Sequence, residues 1–426
     1  MKQQLRTLFA DVLACVDPAR AMHRPEVCDR LHNDATRPVL VIAFGKAART
    51  MAAALLEQLP DTPLRGLVVP PEQDDAPLPP FEVIAGGHPL PTAASLRAAQ
   101  RALQLAGSVA TGEEIYFLVS GGGSAMLESP ADAQVGIDEL RRLNQALVGS
   151  GAGIEQINTV RRHLSAIKGG RLALAGAAAS WQRTVMVSDV PFAIAATIAS
   201  GPTVSDPTTL ADCRAVLDRY ALWPAVPSAL RARIERGDLP PPMPRGHELE
   251  ERSDMLVLLS DRDARSAASL AATDYGWVVD SDCNVDDWPY EKAAEHLLQQ
   301  LDMLHHANPG KRVAVVTTGE LSVTLPPTPG IGGRNVQFAL HCATRLQGQP
   351  ISVLSCGTDG IDGNSPVAGA IVDGNTVARA QALGLDVNQH LARCDAFPLL
   401  DALGDCLKPG PTGTNVRDVR VLVRDA

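Results

Sequence analysis

Ile115-Tyr116-Phe117-Leu118-Val119-Ser120-Gly121-Gly122-Gly123-Ser124 is the stretch on which the fold of this chain turns. Five consecutive apolar residues read as a strand buried on both faces, the pattern of a parallel sheet. Three glycines behind it let the backbone turn sharply with its N–H groups exposed. A helix-compatible segment follows, and unpaired N–H groups at a helix start attract phosphate or carboxylate. Neither nucleotide template fits. A Walker A loop needs Gly-x-x-x-x-Gly-Lys-Ser/Thr, which is absent around Gly45-Lys46 and Gly310-Lys311. The dinucleotide fingerprint, counted from Gly121 and Gly123, meets Met126 where it requires Gly or Ala. The loop therefore reads as an anion cradle of another kind, with Ser120 and Ser124 as extra donors, or as a tight turn without a ligand.

Outward from this loop, short apolar runs alternate with alanine-rich helical stretches. Val39–Phe44, Leu67–Val69, Val83–Ile84 and Thr184–Val187 are further strands, and Lys46–Gln58, Gly136–Val148 and Val160–Ala179 are helices. That alternation implies βαβ units, a mainly parallel sheet and an α/β class. Leu239–Pro244, with three consecutive prolines, reads as an extended linker. Beyond it Met255–Leu259 restarts the strands, and Glu291–His305 is a helix. Val313–Thr317, Ser322–Leu325, Ile351–Ser355, Ala368–Val372 and Val419–Val423 are strand-like. The expected division is a domain over 1–240 and a second over 241–426, with a distinct texture from about 309 to 426.

The chain has 426 residues, long enough for two or three domains. A net charge of −10 and 4% aromatic residues argue against nucleic acid and anionic membranes as bulk partners. The eight cysteines are scattered without Cys-x-x-Cys, which favours free thiols in a reducing compartment. Leu5, Leu8, Phe9, Val12, Leu13 and Val16 mark an amphipathic helix face rather than a signal peptide, and no apolar run spans a bilayer. A cytoplasmic protein is expected.

Several polar clusters carry the candidate chemistry. Lys46 opens a helix directly after a strand, where a cation is unfavourable unless it shares an anion with the helix N–H groups; the plain alternative is a solvated lysine. Asn158–Arg171 is the densest basic run, and Arg161, Ser165 and Lys168 would share one helix face. Those cations suit an anionic ligand or a solvated face. Arg334, beside Gly332-Gly333, can approach phosphate or carboxylate with an open planar fork. Asp359 and Asp362 follow a strand and could reach a metal through water or cap turns. Gly410-Pro411-Thr412-Gly413-Thr414-Asn415 offers hydroxyls and an amide in a glycine-rich turn.

Taken together, these segments resemble the glycerate 2-kinases of the MOFRL type, some of which are labelled hydroxypyruvate reductases. The resemblance runs in order through Gly45-Lys46-Ala47-Ala48, Gly87-His88-Pro89, the triple-glycine loop, Asn158–Arg171, Ser188-Asp189-Val190-Pro191 and Ile198–Thr203. It continues through Gly319-Glu320, Gly332–Asn335, Thr358–Gly363 and Pro411–Val416. It implies a Rossmann-like N-terminal domain, a smaller C-terminal α/β domain and an active site in the cleft between them. It also implies ATP, Mg²⁺ and D-glycerate, with Lys46 and Arg334 as active-site residues and 2-phosphoglycerate as product.

On that basis Lys46, Arg334 and Asp189 are the expected catalytic residues. Ser120, Gly121, Gly122, Gly123, Ser124, Arg161, Lys168, Asn335, Thr414 and Asn415 are expected to bind phosphate or substrate, and Asp189, Glu320 and Asp359 to hold the metal. Two segments depart from the family pattern. Phe192-Ala193-Ile194 stands where the family usually has Gly-Asp-Asp, and Val336-Gln337 where it usually has Gln-Glu. The alternatives are an NAD(P)H-dependent hydroxypyruvate reductase and a non-catalytic small-anion-binding homologue. A homodimer stays open.

Overall fold

The computed structural model describes residues 1–31, 37–72 and 74–426. Residues 21–188 and 193–258 form one compact unit, and residues 1–20, 189–192 and 259–426 form the other.

The first unit is built on a six-stranded sheet: β1 Val39–Phe44, β2 Leu64–Val69, β3 Phe81–Val83, β4 Glu114–Ser120, β5 Trp181–Val187 and β6 Ser253–Leu259. Their order is β3-β2-β1-β4-β5-β6. β1 to β5 run parallel, with Ile42 level with Leu67 on one side and Phe117 on the other. Every residue of β1 and β4 is buried, as their continuous apolar runs require. Leu40, Ile42, Phe44, Ile115, Phe117 and Val119 pack with Ala98, Ala99 and Ala102 of the helix Ala93–Gly107. Strand order reverses between β1 and β4, and ligands of open α/β sheets bind outside the carboxyl ends at such a reversal.

The second unit has a mixed sheet: β7 Val278–Asp282, β8 Val313–Thr318, β9 Ile351–Gly357, β10 Gly369–Asp373, β11 Cys406–Leu407 and β12 Asp418–Arg424. The order is β11-β10-β9-β12-β8-β7. β7 and β8 are parallel, whereas β12 is antiparallel to both β8 and β9. The N-terminal helix Lys2–Cys15 belongs to this unit. Lys2 Nζ meets Asp405 at 2.7 Å, and Arg6 donates to the Gly404 carbonyl at 2.8 Å.

Three sequence expectations need correction. The prolines after Leu239 do not separate the units. Met243 is buried with Ala173 and Leu249, its N–H donates to the Gly169 carbonyl at 2.8 Å, and Arg171 donates to the Pro240 carbonyl. The chain instead divides at residue 258, and its first twenty residues group with the last part. Ser322–Leu325 is not a strand. Ser322 makes an isolated bridge with Pro289, and Pro326-Pro327 supply no N–H for a ladder. The helix foreseen over Val160–Ala179 is two helices, Ile154–Leu164 and Arg171–Ala175; the first ends at the extended Ser165, and the second starts after Gly169 and Gly170 with φ of +62° and +77°. No disulfide joins any of the eight cysteines among the described residues. No helix among the described residues is long and apolar enough to cross a membrane.

Candidate active site

At the reversal of the parallel sheet, the turns after β1 and β4 are bonded to each other. Lys46 N–H donates to the Gly121 carbonyl at 2.9 Å, and Ala47 N–H donates to Ser120 Oγ at 2.9 Å. Gly45 has φ +110°, and a Cβ there would lie 2.4 Å from Ser120. Only glycine lets the two turns approach this closely. Gly122 takes the left-handed conformation, with φ +82°, and starts the short helix Gly123–Met126. A Cβ on Gly123 would press on Phe44 at 2.9 Å and Ala199 at 3.0 Å. The glycines thus serve the packing as well as any ligand. Lys46 is half-buried at this junction.

The two serine hydroxyls have other duties than the sequence suggested. Ser120 is 1% exposed and its Oγ is occupied by Ala47 N–H and the Phe44 carbonyl. Ser200 Oγ donates to Asn158 Oδ1 at 2.9 Å, so in the 2.9 Å contact between Ser124 and Ser200 it is Ser124 that donates. Both protons are engaged within the fold. Ala199, Ser200 and Gly201 have φ of 51°, 61° and 62°. Two consecutive non-glycine residues in that region cost roughly 1 kcal/mol or more each, and such strain gathers at functional sites.

Behind this turn lies a buried charge cluster. Lys168 is 1% exposed and pairs with the Glu128 carboxylate, and its Nζ donates to the Ser124 carbonyl at 3.1 Å. Burial lowers its pKa, opposed by Glu128. Glu128 also accepts from Ser165 Oγ at 2.9 Å. Arg161 donates from Nε to Asn144 at 3.2 Å; burial lowers its pKa, and Glu128 opposes the shift. Lys168 is therefore committed to the fold rather than to a substrate, because the helix that would have aligned it with Arg161 stops at Leu164.

In the mixed-sheet unit Arg334 opens the helix Arg334–Arg345. Its Nε donates to Asp418 at 2.7 Å, and its outer nitrogens meet the two Glu320 oxygens at 2.9 and 2.8 Å. Asp418 also accepts from the fully buried Arg420 at 3.0 Å. Burial holds the Glu320 carboxyl above its usual range against the pull of Arg334, with Asp418 and Asp189 adding to the rise. Arg417 clamps both oxygens of Asp286 at 2.8 and 2.6 Å, and Asp286 accepts from the Glu320 N–H at 2.9 Å. Asp189 groups with this unit although it directly follows β5 and Ser188.

Asn335 is 1% exposed, and its amide lies between Asp362 at 3.3 Å and Ser355 Oγ at 2.7 Å, so it supports the fold instead of a ligand. Asp362 caps this helix, accepting from the Asn335 and Val336 N–H groups at 3.0 and 2.8 Å; burial pushes its pKa up to about 7. Thr414 is 2% exposed and its Oγ1 finds no partner among the described residues, whereas Asn415 Oδ1 accepts from Arg417 N–H at 3.1 Å. Asp359 Oδ1 accepts from Ile361 N–H at 3.2 Å. Phe192, in the departing segment, lies under Arg262 at 3.8 Å, and its N–H donates to Asp261. Val336 and Gln337, the other departure, are buried in the helix; Gln337 donates to the Leu391 carbonyl at 2.9 Å. The sequence reading missed Glu128, Asp286, Arg417, Asp418 and Arg420. No local spacing marks them, because each makes a bond to a residue far along the chain, Arg420 to the Gly319 carbonyl among them.

A parallel sheet with a lysine and a glycine turn at its reversal, joined in one chain to a mixed sheet with an arginine–carboxylate network, defines an α/β protein. Residues 4–235 match the family described as Domain of unknown function (DUF4147), and residues 313–418 match the MOFRL family. A D-glycerate 2-kinase of Thermotoga maritima is 34% identical over 89% of this chain and 89% of its own length. The crystal structure of a glycerate kinase from the same organism superposes with a TM-score of 0.86 at 31% identity, covering 99% of each chain. A relative from Agrobacterium vitis, 35% identical over 99% of this chain and 94% of its own, carries the provisional name hydroxypyruvate reductase. The chain belongs to the glycerate 2-kinase family with a C-terminal MOFRL domain.

Proposed function

We propose that this chain is a D-glycerate 2-kinase that transfers the γ-phosphoryl group of ATP to the 2-hydroxyl of D-glycerate in the cytoplasm. The observation that carries the reading is the pairing of Lys46 with the Gly121–Gly123 turn at the strand-order reversal. Backbone N–H groups there are suited to phosphate oxygens, and the Lys46 ammonium supplies the charge. Phosphoryl transfer depends on positioning and charge neutralisation, with little covalent work for the protein.

Lys46 and Arg334 are assigned to the transferring group or the substrate carboxylate, and Arg161 to a substrate anion. Thr414, with its buried unpartnered hydroxyl, and Asn415 are assigned to a ligand phosphate. Asp189 is assigned to the hydroxyl, whose oxygen attacks phosphorus as the bond to the leaving phosphate breaks and whose proton Asp189 accepts. When bound, Mg²⁺ would supply positive charge to offset that of the phosphates. Among the described residues no three His, Cys, Asp or Glu side chains gather to hold a metal by themselves. Asp189, Glu320 and Asp359 are the carboxylates proposed to hold the metal, and Glu320 would do so while paired with Arg334.

Incubation with D-glycerate, ATP and Mg²⁺ should yield ADP and 2-phosphoglycerate, the latter read by coupling to enolase. Lys46→Ala should reduce turnover at least about 100-fold with an unchanged circular dichroism spectrum. Full activity in that variant removes Lys46 from the mechanism. Oxidation of NADPH with hydroxypyruvate, without ADP formation, replaces the kinase with a reductase.

A further inference from the structure

Lys168 and Glu128 form a fully enclosed ion pair to which the proposed chemistry assigns no task. Such a pair loses two hydration shells, and an apolar pair of similar volume is often at least as stable. Stability alone is therefore a weak reason for its presence. The remaining bond of Lys168 suggests what the pair does. The short helix Gly123–Met126 ends almost as soon as it begins, so the Ser124 carbonyl has no helical N–H to accept from in a further turn. Lys168 Nζ fills that place at 3.1 Å, and a cation at the carbonyl end of a helical turn is electrostatically favourable. The side chain of the same residue is fixed from the other direction by Ser200 and Asn158.

We propose that Lys168 is a positioning residue for the triple-glycine turn: its ammonium holds the Ser124 carbonyl inward and so fixes the direction of the N–H groups at the start of the turn. Glu128 keeps the ammonium charged in a water-free setting, and Ser165 and the Ser129 N–H orient Glu128 at 2.9 and 3.0 Å. The cation acts from behind the loop and does not touch the ligand. This inference rests on the reading of the loop as an anion cradle.

The decisive variant is K168M/E128M, which removes the donor to Ser124 without stranding a charge. Its urea unfolding midpoint should stay near that of the unsubstituted chain. The KM for ATP or for D-glycerate should rise at least tenfold, with kcat changing less, and the substrate affected identifies the anion the loop holds. Unchanged KM for both in the folded variant overturns the proposal. Where the apolar pair does not fold, K168Q/E128Q serves the same comparison, because its side chain at 168 is too short to reach the carbonyl. Amide hydrogen exchange over residues 119–128, measured without ligand, should quicken at least tenfold in either variant while β1 keeps its protection. Unchanged exchange overturns the proposal even in a chain that proves to be no kinase, whereas absence of ADP formation by the unsubstituted chain counts against the kinase reading alone.

Discussion

Lys168 in the parallel-sheet unit and Arg334 in the mixed-sheet unit are both cations held by carboxylates, and their settings differ. Lys168 and Glu128 are 1% and 5% exposed at their side chains, and among the described residues neither has another counter-ion within salt-bridge distance. Arg334 is 36% exposed and has two carboxylates, the enclosed Asp418 and the third-exposed Glu320, while Asp418 has Arg420 as a second cation. An enclosed pair with single partners is a rigid support, since either charge left alone in a low dielectric is costly. A half-exposed guanidinium with a redundant partner can exchange one of its contacts for a ligand. Under the proposed function, Lys168 would shape the site and Arg334 would act in it.

The sharpest way to break this contrast is to remove one charge from each cluster. Lys168→Met leaves Glu128 buried without a counter-ion and should lower unfolding free energy by about 3–5 kcal/mol in urea denaturation. A loss below about 1 kcal/mol would show that water reaches Glu128. Arg334→Ala should cost only about 1–2 kcal/mol of stability, because Asp418 keeps Arg420, yet cut turnover at least about 100-fold, near 3 kcal/mol in the barrier. Equal losses of stability in the two variants would erase the distinction.

Asp362 supplies a third case, a carboxylate that caps the Arg334 helix with N–H donors and no direct cation. Its pKa is raised from 3.8 to about 7 by burial. The folded state then holds a proton that the unfolded state has lost between those values. Its contribution to stability is full below pH 3.8 and is lost as pH rises through 7, by up to a few kcal/mol. Compared with Asp362→Asn across pH 4 to 8, the unsubstituted chain should lose melting temperature relative to the variant as pH rises. A flat difference would place the Asp362 carboxyl at its ordinary pKa.

Much of the fold was legible, because buried parallel strands must be apolar along their whole length. Val39–Phe44 and Ile115–Val119 carried that signature and became β1 and β4 nearly to the residue. β7 and β11 were not legible: Val278–Asp282 is largely polar, and Cys406–Leu407 is too short for any period to show. The site was legible where glycine marks it. The Gly45–Lys46 and Gly121–Gly123 turns stood out in the sequence, and the Arg161–Lys168 run stood out as basic. Its helical register misled, since the helix ends at Leu164, where Ser165 takes extended backbone (φ −108°, ψ 145°). The three prolines after Leu239 misled likewise, because the same run carries Met243, which is buried with Ala173 and Leu249.

By itself the sequence determined the strands around the reversal, the glycine turns and the order of the family's motifs, all of which are set by residues adjacent in the chain. Only the tertiary structure decided what each charge does. Lys168 meets Glu128 across 40 positions, and Arg334 meets Asp418 across 84. The worth of a charge depends on its partner and its exposure to water, and both are established when distant segments pack.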